Sequence, residues 1–88
     1  MAWWIELSDT AAKQLGKLEK AEAKRITDFL RQCLVELDNP RSQGKALTGP
    51  LGGLWRYRVV DYRIICELQD NVLCVLVFKM GNRRDVYR

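Results

Sequence analysis

The stretch from Leu54 to Arg88 constrains this chain more than any other, because it reads as consecutive β-strands and the first of them alternates in chemistry. Trp55, Tyr57 and Val59 fall on one parity, Arg56 and Arg58 on the other. Successive side chains of a strand leave opposite faces, so the pattern predicts a half-buried β-strand. A second strand begins at Tyr62. An even-sized loop centred on Val60-Asp61 places Val59 opposite Tyr62, Tyr57 opposite Ile64 and Arg58 opposite Arg63. One face is then aromatic and aliphatic, and the other carries Arg56, Arg58 and Arg63 side by side. Like charges facing each other on a sheet are destabilising. Guanidinium groups collected on one face therefore point to an anion ligand, since arginine suits bidentate phosphate contacts. The alternative for any single one is a solvated face on which Arg56 or Arg58 pairs with Glu67 or Asp61.

The flanking segments supply the rest of a domain. Asp70-Asn71 is turn chemistry, and Val72 to Phe78 is apolar on both parities, as in a strand covered on both sides or central in its sheet. Gly81 ends that strand, and Asn82 to Arg88 forms a basic tail. At the other end, Trp3 to Leu7 reads as a first strand, with Trp3, Ile5 and Leu7 on one parity. Ser8 is placed to cap a helix from Asp9 to Leu18. A second helix, Lys20 to Leu37, carries an apolar stripe of Ile26, Phe29, Leu30, Cys33, Leu34 and Leu37, and stops at Asn39-Pro40. Residues 39–53 are a Gly/Pro-rich connection, with Ala46 and Leu47 anchoring it to the core, and contain no P-loop pattern. The order β-α-α-β-β-β predicts an α+β fold, in which an N-terminal helical hairpin packs on the aromatic face of a small antiparallel sheet. The arginine face is left concave or open.

Composition narrows the chemistry. Eighty-eight residues predict a single domain over 1–88. No apolar run reaches the roughly 20 residues of a spanning helix, and the N-terminus lacks the basic and apolar regions of a signal peptide. Cys33, Cys66 and Cys74 are odd in number, and the chain has no histidine. A metal site is therefore not expected, nor any cofactor, and the setting reads as reducing and cytoplasmic. Without histidine, catalysis falls to Arg, Lys, Tyr or carboxylates. Residues 1–53 carry eight Lys/Arg against seven Asp/Glu, and residues 54–88 carry seven against four. The surplus lies in the arginine-bearing stretch, which favours a polyanionic partner.

Three motifs in order resemble the RelE-type toxins of the RelE/ParE superfamily. They are Leu47-Thr48-Gly49 with Leu54-Trp55-Arg56-Tyr57-Arg58-Val59, then Asp61-Tyr62-Arg63-Ile64-Ile65, then Gly81-Asn82-Arg83-Arg84-Asp85-Val86-Tyr87. The resemblance spans essentially the whole chain. It implies the toxin of a type II toxin–antitoxin module, a metal-free endonuclease that enters the ribosomal A site and cuts mRNA by attack of a ribose 2′-OH. The catalytic positions it implies are Arg56, Arg58, Arg63, Arg83 and Tyr87, with Lys45, Arg84 and Arg88 as further RNA contacts. The partners it implies are a RelB-like antitoxin, the 70S ribosome with mRNA, and operator DNA reached only through the antitoxin complex, with no membrane. Three departures stand out: arginine replaces lysine at Arg56 and Arg58, Asn82 sits where histidine or lysine is common, and no C-terminal helix follows Tyr87. Two other readings fit the same residues. One is a ParE-type gyrase poison on the same fold, and the other is a non-catalytic protein whose arginine face holds an acidic peptide.

Overall fold

A computed structural model describes residues 3–32 and 39–82. Its elements are β1 (Trp4–Leu7), α1 (Asp9–Lys17), α2 (Lys20–Phe29), β2 (Lys45–Ala46), β3 (Trp55–Val59), β4 (Tyr62–Gln69) and β5 (Cys74–Asn82), with single 3-10 turns at Pro40–Ser42 and Gly49–Leu51. One five-stranded sheet runs in the order β1-β5-β4-β3-β2. The fold is α+β, as expected, but the sheet is mixed rather than antiparallel. β1 lies parallel to β5, while the other neighbours are antiparallel. The two helices return the chain before β2, so β1 and the last strand of the meander run the same way.

The β3–β4 hairpin has the predicted register: Val59 faces Tyr62, Tyr57 faces Ile64 and Arg58 faces Arg63. Its inner face builds the core. Tyr57, Val59, Ile64, Cys66, Val75, Val77 and Met80 are buried against Ala11 of α1 and Ile26 of α2, with Leu30 just beyond α2. Phe29 meets Tyr57 edge-on, with ring centroids 5.6 Å apart, a favoured aromatic geometry.

A β-bulge interrupts the β4–β5 ladder between Ile65 and Cys66, so that Phe78 on β5 has no opposite number. A bulge strands backbone groups, and α1 satisfies them. Ser8, the predicted cap, accepts from the Ala11 N–H at 3.0 Å and donates its hydroxyl to the Phe78 carbonyl. The Gln14 side chain accepts from the Met80 N–H at 2.7 Å. The capping serine thus also docks α1 on β5.

Several boundaries differ from expectation. The regular part of α2 ends at Phe29 and continues as wider π-type turns to Gln32. Cys33, Leu34 and Leu37 of the predicted stripe lie outside the described residues. Leu7 and Trp4 are exposed because β1 is an edge strand. β5 starts two residues later than Val72 and runs to Asn82, because Asp70 to Leu73 form the connecting turn. The connection 39–53 contains β2, and Ala46 is exposed there rather than in the core. Gly44 explains why. At φ +82° it lies so close to β3 that an added Cβ would stand 2.4 Å from the Arg56 carbonyl oxygen. The Trp55 indole N–H donates to the Gln43 carbonyl at 2.8 Å. Backbone approach pins this segment, with Leu47 half-buried as its only apolar anchor of the expected pair.

Candidate anion site on the sheet

The face of the sheet away from the core cluster is where the arginines meet. Pairing places them in two neighbouring rows. In one, Arg58 faces Arg63, and Arg63 faces Gly81. In the other, Lys45 faces Arg56, Arg56 faces Ile65, and Ile65 faces Lys79. Directly paired residues share a face, so Lys45, Arg56, Arg58, Arg63 and Lys79 project together around Ile65. Ile65 is fully buried although it lies outside the helix-side cluster. Long basic side chains cover apolar surface with their stems while keeping the charged head polar, and Arg56 and Lys79 flank Ile65 on either side.

The face is not simply open, as the sequence suggests. Arg58 is exposed and Arg56 half-buried, but Arg63 is only 7% exposed. Its Nη1 and the Arg56 Nε are buried without a hydrogen-bond partner among the described residues. Unpaired buried polar groups are rare and call for an explanation. Among the described residues no carboxylate supplies one. The ion pairs among the described residues are Lys24 with Asp28 at 2.8 Å and Arg41 with Asp70 at 2.7 Å, and neither touches the site. Glu67 instead accepts from the Gln69 amide at 2.7 Å, and Arg58 donates to the Val60 carbonyl at 3.3 Å. The pairing of Arg56 or Arg58 with Glu67 or Asp61 is absent among the described residues. What remains is a preformed cation cluster with no carboxylate partner among the described residues, suited to a multiply charged oxyanion.

A cavity of about 270 Å³, lined by Phe29, Gln43, Gly44, Lys45, Arg56 and Arg58, opens at the β2 edge of the site. A second, of about 260 Å³, lies on the helix side between α2 and the β3–β4 turn and includes Glu22, Val60 and Tyr62. There, burial and a hydrogen bond with Glu22 raise the Tyr62 phenol above its ordinary range. Burial also pushes the Cys66 thiol up, so it stays protonated and unreactive as a nucleophile.

Of the expected site residues, the structure brings together Arg56, Arg58, Arg63 and Lys45. Arg83, Arg84, Tyr87 and Arg88 lie outside the described residues. Lys79 was missed by sequence reasoning. The bulge at Phe78 breaks the alternation of β5, and an apolar run on both parities does not disclose which face the next residue takes. The signal available was its charge, at the end of an otherwise apolar strand.

The model of a family described as ParE toxin of type II toxin–antitoxin system, parDE, matches residues 5–87. Toxin RelE of Mycobacterium tuberculosis is 31% identical over 84 residues, covering 96% of this chain and 84% of the relative. Toxin RelG of the same organism is 26% identical over 88 residues, covering 100% and 99%. Among solved structures, the RelBE2 toxin–antitoxin complex of M. tuberculosis superposes with a TM-score of 0.82 at 23% identity, covering 94% of this chain and 100% of that one. The archaeal RelE–RelB complex of Pyrococcus horikoshii gives 0.72 at 27% identity, covering 98% and 100%. Matched along nearly its whole length by sequence and by fold, the chain belongs to the ParE toxin family and is a toxin of a type II toxin–antitoxin system on the RelE fold.

Proposed function

We propose that this toxin is a ribosome-dependent mRNA endonuclease, cutting the codon in the A site by a metal-free route. The observation that carries the reading is Arg63: a guanidinium almost wholly buried, one nitrogen unpaired, directly opposite Arg58. Such an arrangement costs stability in the free protein and is relieved by a phosphate. In the reaction, a ribose 2′-oxygen bonds to the adjacent phosphorus and loses its proton. The bond from phosphorus to the 5′-oxygen breaks, and that oxygen gains a proton. The products are a 2′,3′-cyclic phosphate and a 5′-hydroxyl. Negative charge grows on the phosphorane oxygens, and fixed cations favour that state over the ground state. Arg58 and Arg63 take this role, with Arg56 beside them. Arg83 assists the leaving 5′-oxygen, and Tyr87 stacks on a base of the codon or orients the 2′-OH. A guanidinium is a poor proton carrier because its pKa lies above about 12, so the arginines act by charge. Lys45, Arg84 and Arg88 hold the flanking backbone. A RelB-like antitoxin neutralises the toxin in the cytoplasm, as RelE partners are seen with RelB in the related complexes.

The test is induction of this chain alone in bacteria, followed by primer extension on a translated mRNA and on the same mRNA without its start codon. Cuts inside codons that vanish without translation are expected. The match to a ParE toxin family favours keeping a second reading, the ParE-type gyrase poison that the resemblance also allows. Growth arrest with intact mRNA would select it.

A further inference from the structure

We infer that Lys79 is a further phosphate-binding residue of this site, and that the RNA backbone crosses the sheet along the row Lys45, Arg56, Lys79. The inference rests on the proposed RNA reading and extends it to a residue and a direction.

Three observations converge on Lys79. First, it faces Ile65 across β4–β5, as Arg56 faces Ile65 across β3–β4. Adjacent strands lie about 4.8 Å apart, so the Arg56 and Lys79 backbones stand roughly 10 Å apart on the two sides of one buried apolar residue. Side chains of that length are long enough to reach across the gap from either side of Ile65. Secondly, Gly81, the β5 residue opposite Arg63, presents no side chain to the face. Lys79 is two residues from it, diagonal to Arg63 at about 7–8 Å. A phosphate above Ile65 is then within reach of Arg56, Arg63 and Lys79 together. Thirdly, Lys79 is half-buried and forms no ion pair among the described residues. Covering Ile65 accounts for the stem of Lys79, but a third cation on the face that already carries Arg56 and Arg63 is repulsive unless an anion binds there. The row runs perpendicular to the strands, from the β2 edge to the sheet interior, whereas Arg58 and Arg63 lie one step along the strands towards the β3–β4 turn. This separates a binding row from the pair assigned to the reacting phosphate.

The test compares wild type, Lys79→Ala and Lys79→Arg. Each is titrated by anisotropy with a short single-stranded RNA at several salt concentrations, and its cleavage of mRNA on programmed ribosomes is followed over the same series. For single strands the log–log salt slope is about 0.7 per phosphate contact. Lys79→Ala is expected to bind about tenfold more weakly, the lower end for losing a charged hydrogen bond, with the slope shallower by about 0.7. If the isolated strand is bound too weakly to titrate, the same weakening is read as a rise in KM on ribosomes. Lys79→Arg is expected to restore both. The free Lys79→Ala protein is expected to melt near the wild-type temperature, the lost stem cover of Ile65 being offset by the lost repulsion from the neighbouring arginines. A slope and KM unchanged in Lys79→Ala would overturn the inference, as would a loss explained by a lower melting temperature. Failure of wild type itself to cleave mRNA on ribosomes would overturn the RNA reading instead.

Discussion

Replacing Arg63 by methionine is expected to make the free toxin more stable while abolishing its activity. Arg63 is 7% exposed, its Nη1 has no partner among the described residues, and Arg58 stands directly opposite. A buried polar group left unsatisfied costs about 1–3 kcal/mol, with more for a charged one, and an apolar residue of similar volume removes that cost together with the repulsion from Arg58. Methionine keeps most of the aliphatic stem and adapts to irregular space, so packing losses are small. A gain of about 2 kcal/mol is expected. For a domain of this size each kcal/mol moves the midpoint by about 4–8 °C, so Arg63→Met is expected to melt roughly 8–16 °C higher. The assay is urea and thermal unfolding of the two proteins free of antitoxin. Adding inorganic phosphate provides an internal control, because a ligand stabilises only the form that binds it: wild type is expected to gain stability and Arg63→Met to gain less. A variant less stable than wild type would mean that the guanidinium is satisfied in the folded state, and the argument for a preformed anion site would fall with it.

Gly44→Ala places a methyl 2.4 Å from the Arg56 carbonyl oxygen at φ +82°. Overpacking and left-handed strain together are expected to cost about 2–5 kcal/mol, seen as a lower denaturation midpoint and loss of the β2 contact at the cation row. Val60 holds φ 55° at the exposed tip of the β3–β4 hairpin, which a β-branched residue adopts only with strain. Val60→Gly is therefore expected to stabilise by about 0.5–1 kcal/mol despite glycine's unfolded-state entropy; a lower urea midpoint would contradict it. Arg41, through a hydrogen bond and charge, holds the Asp70 carboxyl below its ordinary range. A depressed folded value means stability present above the unfolded pKa and lost as pH falls through the folded one. Asp70→Asn is accordingly expected to flatten the acid limb of the stability profile below about pH 4, with the effect small because the pair is exposed.

The parts of this fold that were legible in the sequence are those whose geometry is set locally. A two-residue loop fixes hairpin register, and a one-residue slip would have turned Tyr57 out and Arg58 in, so the placement of Arg56, Arg58 and Arg63 followed from Val60-Asp61 alone. Ser8 was readable as a cap because capping is a contact of three residues' span. Its second bond, to Phe78, was not, since it depends on where β5 arrives. β2 escaped for a related reason. Two residues carry no periodicity, and Gly44 disclosed its meaning only once its distance to Arg56 was known.

The same division governs the site. Alternation assigns a face only while the ladder is unbroken, and the bulge between Ile65 and Cys66 shifts everything on β5 beyond Val77 by one residue. Without that shift, parity counted from Val75 and Val77 would put Lys79 among the core residues and Met80 on the arginine face. The bulge turns Met80 inward, where it is buried, and delivers Lys79 beside Ile65. An inserted residue that re-aims a side chain is the ordinary structural effect of a bulge, and here Ser8 and Gln14 of the helical layer hold it in place. The helix-side core and the cation cluster are thus coupled through one irregularity. If Gln14→Ala loosens the bulge, losing its 2.7 Å bond to Met80, RNA cleavage is expected to fall more than the loss of stability alone accounts for. Activity that tracks the folded fraction and nothing more would uncouple the two.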